Sequence, residues 1–454
     1  MQTRFKFAAF LDEILVNAAD NYQRDKSMDR IEVTIDQVNG VIAVWNNGTG
    51  IPIEIHKEHN CYVPELIFGR YTENSSYVYR IVGHLLTSSN YDDSQEKVTG
   101  GRNGFGAKLA NIFSTQFTIE TGDRARNKHY RQVFRNNMSA KDEPVISANS
   151  KGKDFTCITF KPDLAKFSMT HLEADTVALM TKRVYDLAGV TPRGVKVVLN
   201  GKPVPVKDFR AYADCYLKSE EAKELPAIAE APSERWEVVF SLSEGAFTQV
   251  SFVNSICTSK GGTHVEYIAS QIVSHIMAVV QKKNKKLQIK AHQIKAHLWL
   301  FVNALISNPA FDSQTKETLN TKSAKFGSTY VLSEKFLKSV EKSGIVELVL
   351  STAAAREEAK MGKQLKGAKK DKLLGIPKLE DANWAGTKRS GECTIILTEG
   401  DSAKALALAG IEVVGRDRYG CFPLRGKFLN VRDAPGKSLT ENAEVQALTK
   451  IVGL

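Results

Sequence analysis

LDEILVNAADN, residues 11–21, is the stretch from which the rest of the chain is read. At about 100° per residue, Leu11, Ile14, Leu15 and Ala18 fall on one side of a helix, and Glu13, Asn17, Asp20 and Asn21 on the other. A solvated helix face usually mixes Lys and Glu, which pair at i,i+4 and keep helix propensity high. Here the polar face carries short carboxylates and carboxamides, which are poor helix formers and add little to an exposed surface. A side-chain amide oxygen can ligate Mg²⁺ without adding charge, and a Glu one turn earlier can hold and deprotonate a water. Taken alone, the stretch reads equally as an amphipathic core helix with an incidental Asn pair.

Downstream, Ile31, Val33 and Ile35 alternate with polar residues, Asn39-Gly40 follows, and residues 41–45 are apolar, which predicts a β-hairpin. The hairpin runs into Asn46-Asn47-Gly48-Thr49-Gly50. Asn46 offers the donor and acceptor that an adenine edge requires, and the spaced glycines let backbone approach a flat ligand. As simple loop punctuation, the same residues carry no such meaning. Residues 100–108, GGRNGFGAK, place glycines at 101, 104 and 106 before a helix start, where free amides and the positive helix end suit phosphate, with Lys108 in the first turn. The Walker A order is absent.

The series Glu13/Asn17/Asp20/Asn21, Asn46-x-Gly48-x-Gly50 and the glycine-rich run resembles the ATP-binding fold of gyrase, Hsp90, MutL and histidine kinases. DEILVNAADN, WNNGTGIP, HLLTSSNYDD and VTGGRNGFGAKLANIFS look more specifically like the ATPase domain of eukaryotic-type DNA topoisomerase II. That resemblance implies a general base at Glu13, Mg²⁺ carried with ATP by Asn17, and Asn21 and Asn46 in the nucleotide site. It further implies contacts from Ser88, Ser89 and Asn90, and a lid of Gly101, Arg102, Asn103, Gly104, Phe105, Gly106, Ala107 and Lys108 around the triphosphate.

Beyond residue 115, strand-like alternation recurs at 117–121, 130–134 and 155–160, helical periodicity at 172–187, and a further strand at 195–199 ends in Asn200-Gly201. Strands at 236–241 and 249–254, a helix marked by Val265, Ile268, Ile272, Ile276 and Val279, and an apolar strand at 298–306 predict a β-α-β unit. FVNSICTSKGGTHVEYI resembles the transducer domain of the same family, which is ribosomal S5 domain 2-like. Lys282, Lys283, Lys285 and Lys286 gather at the helix end. Such a charge run is usually just solvated, but it can also neutralise DNA phosphates. The family's loop from transducer into nucleotide site matches Gln314, Thr315 and Lys316, whose lysine touches the γ-phosphate there; by sequence alone Lys316 is an ordinary surface residue. ILTEGDSAKALA and PLRGKFLNVRDA resemble the start of the TOPRIM domain, in which Glu399 would bind Mg²⁺.

The expected architecture is α+β. A gyrase/Hsp90-type α/β sandwich occupies residues 1–200, a transducer 201–345, a long helix and basic linker 346–390, and part of a TOPRIM domain 391–454. The function implied is the ATP-hydrolysing gate of a type II topoisomerase, acting on duplex DNA in the nucleus; binding of ATP or DNA without turnover is the alternative. Three departures from the family pattern stand out: no amino-terminal strap precedes the first helix, which puts the family's homodimer in doubt here; about fourteen extra residues occupy 70–83; and no cleavage tyrosine follows Glu399. Strand cleavage by this chain alone is therefore not expected.

Composition agrees. The 454 residues are 42% hydrophobic and 25% charged with a net charge of +11, which favours a polyanionic partner. Neither a transmembrane run nor a signal-peptide pattern is present, so no membrane partner is expected. Six scattered cysteines fit a reducing compartment. His56, His59 and Cys61 cluster, but their order matches no structural zinc pattern, and no metal is expected there.

Overall fold

The computed structural model describes residues 2–69, 97–101, 105–218, 225–284, 289–313, 315–366, 376–426 and 442–452. Residues 1–356 form one compact unit and residues 357–454 another. Outside the described residues lie the extra segment at 70–83 and Ser88, Ser89, Asn90, Arg102, Asn103, Gly104, Gln314, Lys285 and Lys286.

The opening helix is longer than its polar face suggested. It runs as α1 (Gln2–Arg24) and leads into the hairpin β1 (Arg30–Asp36) and β2 (Val41–Asn47), paired from Ile31↔Asn46 to Asp36↔Val41. The connection is thus four residues, 37–40. The Asp36 carboxylate accepts hydrogen bonds from the Asn39 backbone and side chain at 3.0 and 2.7 Å, and Gly40 supplies the positive φ of 66°. After α2 (Val63–Phe68) and α3 (Phe105–Ile112) come β3 (Ser114–Asp123), β4 (Lys128–Arg135), β5 (Ala140–Lys141), β6 (Val145–Ala148) and β7 (Phe155–Pro162). Helix α4 (Ala174–Val190) precedes the short hairpin β8 (Lys196–Leu199) and β9 (Lys202–Pro203). Its two turn residues, Asn200 and Gly201, have φ of 48° and 77°, the geometry of a type I′ turn.

These strands make one nine-stranded sheet in the order β5-β4-β3-β7-β2-β1-β8-β9, with β6 also on β4. Leu11, Ile14, Leu15 and Ala18 of α1 pack with Ile31, Val33, Ile42, Val44, Phe117, Ile158 and Phe160 in one core. A buried charge network holds α1 to α4: Arg183 donates to Asp12 and to Asp186, both at 2.5 Å. Tyr212 donates to the other Asp186 oxygen at 2.6 Å. Removing one partner of such a network costs about 3–5 kcal/mol, because a charge is left buried alone. Asp12 precedes Glu13, so the network sets the rotation of the helix that carries the proposed base.

Helix α5 (Phe209–Leu217) leads to the second sheet, built from β10 (Ile228–Ser233), β11 (Trp236–Leu242), β12 (Thr248–Val253), β13 (Ile256–Cys257) and, after α6 (Thr263–Lys283) and α7 (Ala291–Lys295), β14 (Leu298–Ala304). The order is β10-β11-β14-β12-β13. Strands β12 and β14 run parallel with α6 between them, the expected β-α-β unit. Val265, Ile268, Ile272, Ile276 and Val280 of α6 cover one face, meeting Val238, Phe240, Leu300 and Val302. The opposite face sends Val239, Phe252 and Phe301 into the first core, beside Phe209 and Tyr212 of α5. A sheet buried on both faces explains why β14 is apolar but for Asn303.

Ser333 caps α8 (Glu334–Val340), its hydroxyl accepting from the Phe336 N–H at 3.0 Å. A wide turn at Gly344, φ 95°, joins it to α9 (Val346–Lys366). In the second unit, β15 (Thr394–Thr398) pairs in parallel with β16 (Tyr419–Pro423), with α10 (Asp401–Val414) between them, and α11 (Ala443–Val452) follows. Among the described residues, no helix is long and apolar enough to cross a membrane.

His264, at the start of α6, is fully buried, and its Nε2 lies 3.1 Å from the Thr258 hydroxyl. Burial pushes its imidazole down from 6.5 to about 3. The unfolded chain therefore takes up this proton near pH 6.5 while the folded chain does not, so stability is lost as pH falls from about 6.5 towards 3, at up to about 1.4 kcal/mol per pH unit. In urea melts, His264→Gln is expected to be less stable than the parent at pH 8, with the gap narrowing between pH 6.5 and 4.

Candidate nucleotide site

The polar face of α1 does not meet solvent along its length. Asp20 and Asn21 are buried, Glu13 is half-buried, and Asn17 is exposed. What covers the face is residues 97–101. Asp20 accepts from the Gly100 N–H at 2.9 Å and the Gly101 N–H at 2.8 Å, one amide to each carboxylate oxygen. Burial nevertheless outweighs these bonds and raises its carboxyl to about 6. On the other side of the segment, Asn254 at the end of β12 donates to the Thr99 carbonyl at 3.1 Å and to the Ile306 carbonyl at 3.0 Å, and accepts from the Ile306 N–H at 2.8 Å. The Asn308 N–H reaches the Lys97 carbonyl at 3.0 Å. The glycine-bearing segment is thus clasped between α1 and the second sheet.

Gly100 is needed for this contact, and Gly101 sits where a side chain would crowd its neighbours. A Cβ on Gly100 would lie 2.6 Å from Val16 and 2.7 Å from the Asn254 carbonyl, and one on Gly101 would lie 3.0 Å from Asn17 Oδ1. At the first turn of α3, a Cβ on Gly106 would lie 2.1 Å from Glu13 Oε2. The amino-terminal turn of α3, whose first backbone amides have no intrahelical acceptor, therefore rests against the Glu13 carboxylate. Phe105 begins this helix, while Ala107 turns into the core. Lys108 is buried two positions beyond Gly106, hence on the far side of the helix from Glu13; burial lowers its ammonium to about 8 while the neighbouring Cys61 raises it.

Lys316 is brought to Glu13. Its ammonium lies 3.3 Å from Glu13 Oε1 and 3.5 Å from the Gly100 carbonyl, from a loop 303 residues downstream. The backbone at Lys316 is left-handed, φ 56°, and its N–H bonds to Ser313. Thr315 bonds Ser313 through its hydroxyl at 2.8 Å. The loop is fastened to the second sheet's start of α6 by Lys260, whose N–H donates to the Glu317 carbonyl at 3.0 Å and whose ammonium pairs with the Glu317 carboxylate at 2.7 Å.

The hairpin end differs from expectation in its glycines. Gly48 has φ 89°, and a Cβ there would meet Met28 at 2.9 Å and Asn21 Nδ2 at 3.1 Å; one on Gly50 would come to 2.2 Å from the Gly122 carbonyl. They permit close packing on α1 and β3, not only approach of a ligand. Asn21 Nδ2 reaches the Asn47 carbonyl at 3.4 Å, and buried Asn46 donates to the same carbonyl at 2.9 Å. The Thr121 hydroxyl accepts from the Ile51 N–H at 3.0 Å and donates to the Phe155 carbonyl at 2.8 Å, fixing this loop.

Elsewhere, Lys282 is exposed at the end of α6, whereas Lys283 pairs with Glu347 at 3.3 Å. Glu399 is exposed at the carboxyl end of β15, and among the described residues it joins no set of three metal-ligating side chains. Asp20 and Asn254 are the residues that sequence reasoning passed over as working parts. Asp20 lay in view on the polar face; Asn254 carried no local signal, since a strand-end Asn usually only makes a turn.

Residues 7–165 match the family model described as histidine kinase-, DNA gyrase B- and HSP90-like ATPase, and residues 208–368 match DNA gyrase B. The chain is 57% identical to a DNA topoisomerase 2 of Arabidopsis thaliana and 54% identical to the human DNA topoisomerase 2-alpha, over 98% of its own length in each case. It spans 29% and 28% of those proteins, less than a third of each. Among solved structures, the ATPase region of Saccharomyces cerevisiae topoisomerase II superposes with a TM-score of 0.69 at 46% identity, covering 76% of this chain and 85% of that one. The ATPase and transducer domains of DNA topoisomerase II from Balamuthia mandrillaris give 0.71 at 44%, covering 78% and 86%. With that likeness added to a clasped glycine segment and a distant lysine meeting a helix-borne glutamate, the chain belongs to the eukaryotic DNA topoisomerase II family, and its fold is that of the family's ATPase and transducer region.

Proposed function

We propose that this chain is the ATP-binding and hydrolysing gate of a type II DNA topoisomerase, coupling ATP-driven closure of two copies to passage of duplex DNA. The observation that carries this reading is the meeting of Lys316 with Glu13 at 3.3 Å. In our reading Glu13 takes a proton from the water that attacks the γ-phosphate. In the structure its carboxylate is engaged by Lys316. When a γ-phosphate arrives, the ammonium has a more highly charged partner, so Lys316 turns to it and Glu13 is left to hold water. The lysine thus stabilises charge on the transferred group and frees the base in one movement. The amides at the start of α3 receive the phosphates, the lid residues Gly101, Arg102, Asn103 and Gly104 precede them in sequence, and Asn21 and Asn46 are assigned to the nucleotide site, Asn46 to the adenine.

Asn17 fits Mg²⁺: its exposed amide oxygen faces Gly101 beside Glu13, a neutral hard donor next to a carboxylate. Bound there with ATP, Mg²⁺ would neutralise phosphate charge. Glu399 at the mouth of a parallel strand suits a second such ion in a TOPRIM domain, for which the described residues supply one ligand. We assign residues 1–200 to the ATPase domain, 201–345 to the transducer, 346–390 to the helix and linker, and 391–454 to part of TOPRIM. Exposed Lys282, with Lys283, Lys285 and Lys286, is our candidate for backbone contact with duplex DNA. The organisms of the relatives keep their DNA in the nucleus, and we place the chain there, acting as a homodimer. Nucleotide binding without turnover has no observation in its favour, since base and lysine stand together.

Steady-state ATP hydrolysis with and without duplex DNA tests the reading. Glu13→Gln is expected to lose about 10²- to 10⁴-fold in turnover while still binding ATP, and an intact chain that binds ATP yet never hydrolyses it sinks the proposal. Lys316→Ala is expected to lower kcat about 10²- to 10³-fold, by removing a charge aimed at the transferred group. Gly106→Ala, whose new methyl would lie 2.1 Å from the Glu13 carboxylate and 2.7 Å from Glu13 Cβ, should cost turnover comparable to Glu13→Gln and also lower the melting temperature, because α1 and α3 must shift apart, read by the same assay beside calorimetry.

A further inference from the structure

The loop between the nucleotide-site hairpin and α2 carries ligating groups that the proposed reaction does not use. Ile55 and Tyr62 bridge as antiparallel neighbours, the His56 N–H donates to the Cys61 carbonyl at 2.8 Å, and the Asn60 N–H donates to the His56 carbonyl at 2.9 Å. Asn60 closes this single helical turn with φ 48°. A turn of that kind sets residues three apart on one side. The rings of His56 and His59 accordingly stack, 4.9 Å between centroids and 24° between planes. The exposed Glu58 carboxylate joins them, and one ligand atom from each of His56, Glu58 and His59 lies within 4.8 Å of the others. His56 Nδ1 is out of water and without a hydrogen-bond partner among the described residues, so nothing competes there for the ring.

Cys61, third member of the cluster in sequence, faces elsewhere. Burial and the Glu65 carboxylate raise its thiol, with Lys141 and Lys108 opposing them. The donor set is therefore two imidazoles and a carboxylate, not a thiolate knuckle.

We propose that His56, Glu58 and His59 bind one divalent transition-metal ion of the Zn²⁺ class, with water completing its coordination. Two nitrogens and one oxygen are a borderline set that suits Zn²⁺ and its neighbours, whereas Mg²⁺ and Ca²⁺ require oxygen throughout. Zn–N bonds of about 2.0–2.1 Å put tetrahedral ligands about 3.3 Å apart. The set therefore closes on the ion by rotation of the exposed Glu58 and the imidazoles, with the loop backbone already tied. The ion would pin the loop that delivers the chain into α2. Arg126 in the β3–β4 connection anchors the same loop by pairing with Glu54 at 2.5 Å. It would touch neither Glu13 nor Lys316.

The test is titration of the chelator-treated full chain with Zn²⁺ by calorimetry, and with Co²⁺ followed by its visible absorption, with Mg²⁺ held in excess. One equivalent is expected to bind, without a thiolate charge-transfer band. The double variant His56→Gln/His59→Gln should weaken that binding at least about tenfold, and Cys61→Ser should leave it unchanged. Far-ultraviolet circular dichroism and ATP binding serve as controls that the double variant is folded. No uptake by the parent chain, equal uptake by the double variant, or loss of uptake in Cys61→Ser overturns the proposal.

Discussion

A single buried carboxylate holds the parts of this molecule in register. Asp20 accepts both the Gly100 and Gly101 amides, and these bonds tie residues 97–101 to α1. The same residues are tied to the second sheet by Asn254 and Asn308. Without the carboxylate, two amides on a segment with no secondary structure of its own would have to find water, and the segment would have no reason to lie across the helix. The cost of that arrangement is visible in Asp20 itself, whose carboxyl is raised to about 6 by burial in spite of the bonds.

Everything else at the site is stacked on that contact. The Arg183 network fixes the rotation of α1, so Glu13 faces the start of α3 while Asp20, two turns on, faces the glycines. The second sheet rests through Phe252 and Phe301 on α5 and the first core, which fixes where the loop after β14 can reach. Lys316 then arrives over Gly100 and meets Glu13. The loop that carries Lys316 belongs to the other sheet, so its contact with Glu13 depends on how the two sheets are packed.

Much of the fold was legible in the sequence because it depends on local periodicity. The β1–β2 hairpin, the Asn200-Gly201 turn, the Ser333 cap, the apolar stripe of α6 and the parallel β12–β14 pair all follow from residue spacing or from turn residues that tolerate positive φ. Where the local reading fell short, packing had intervened. Gly48 and Gly50 looked like room for a ligand, but they also make room for Met28, Asn21 and the Gly122 carbonyl.

The sequence by itself determined the helices and strands with a clear periodicity, which face of α1 is polar, and, through runs such as VTGGRNGFGAKLANIFS, the family to which the chain belongs. Those properties rest on spacings of two to eight residues, which one stretch of chain specifies alone. The tertiary structure decided that the polar face of α1 is covered, that Asp20 and Asn254 clasp one segment from opposite sides, and that Lys316 meets Glu13 across 303 positions. No local pattern encodes such a meeting, since it exists only once two sheets have buried a common core and brought the loop of one over the helix of the other.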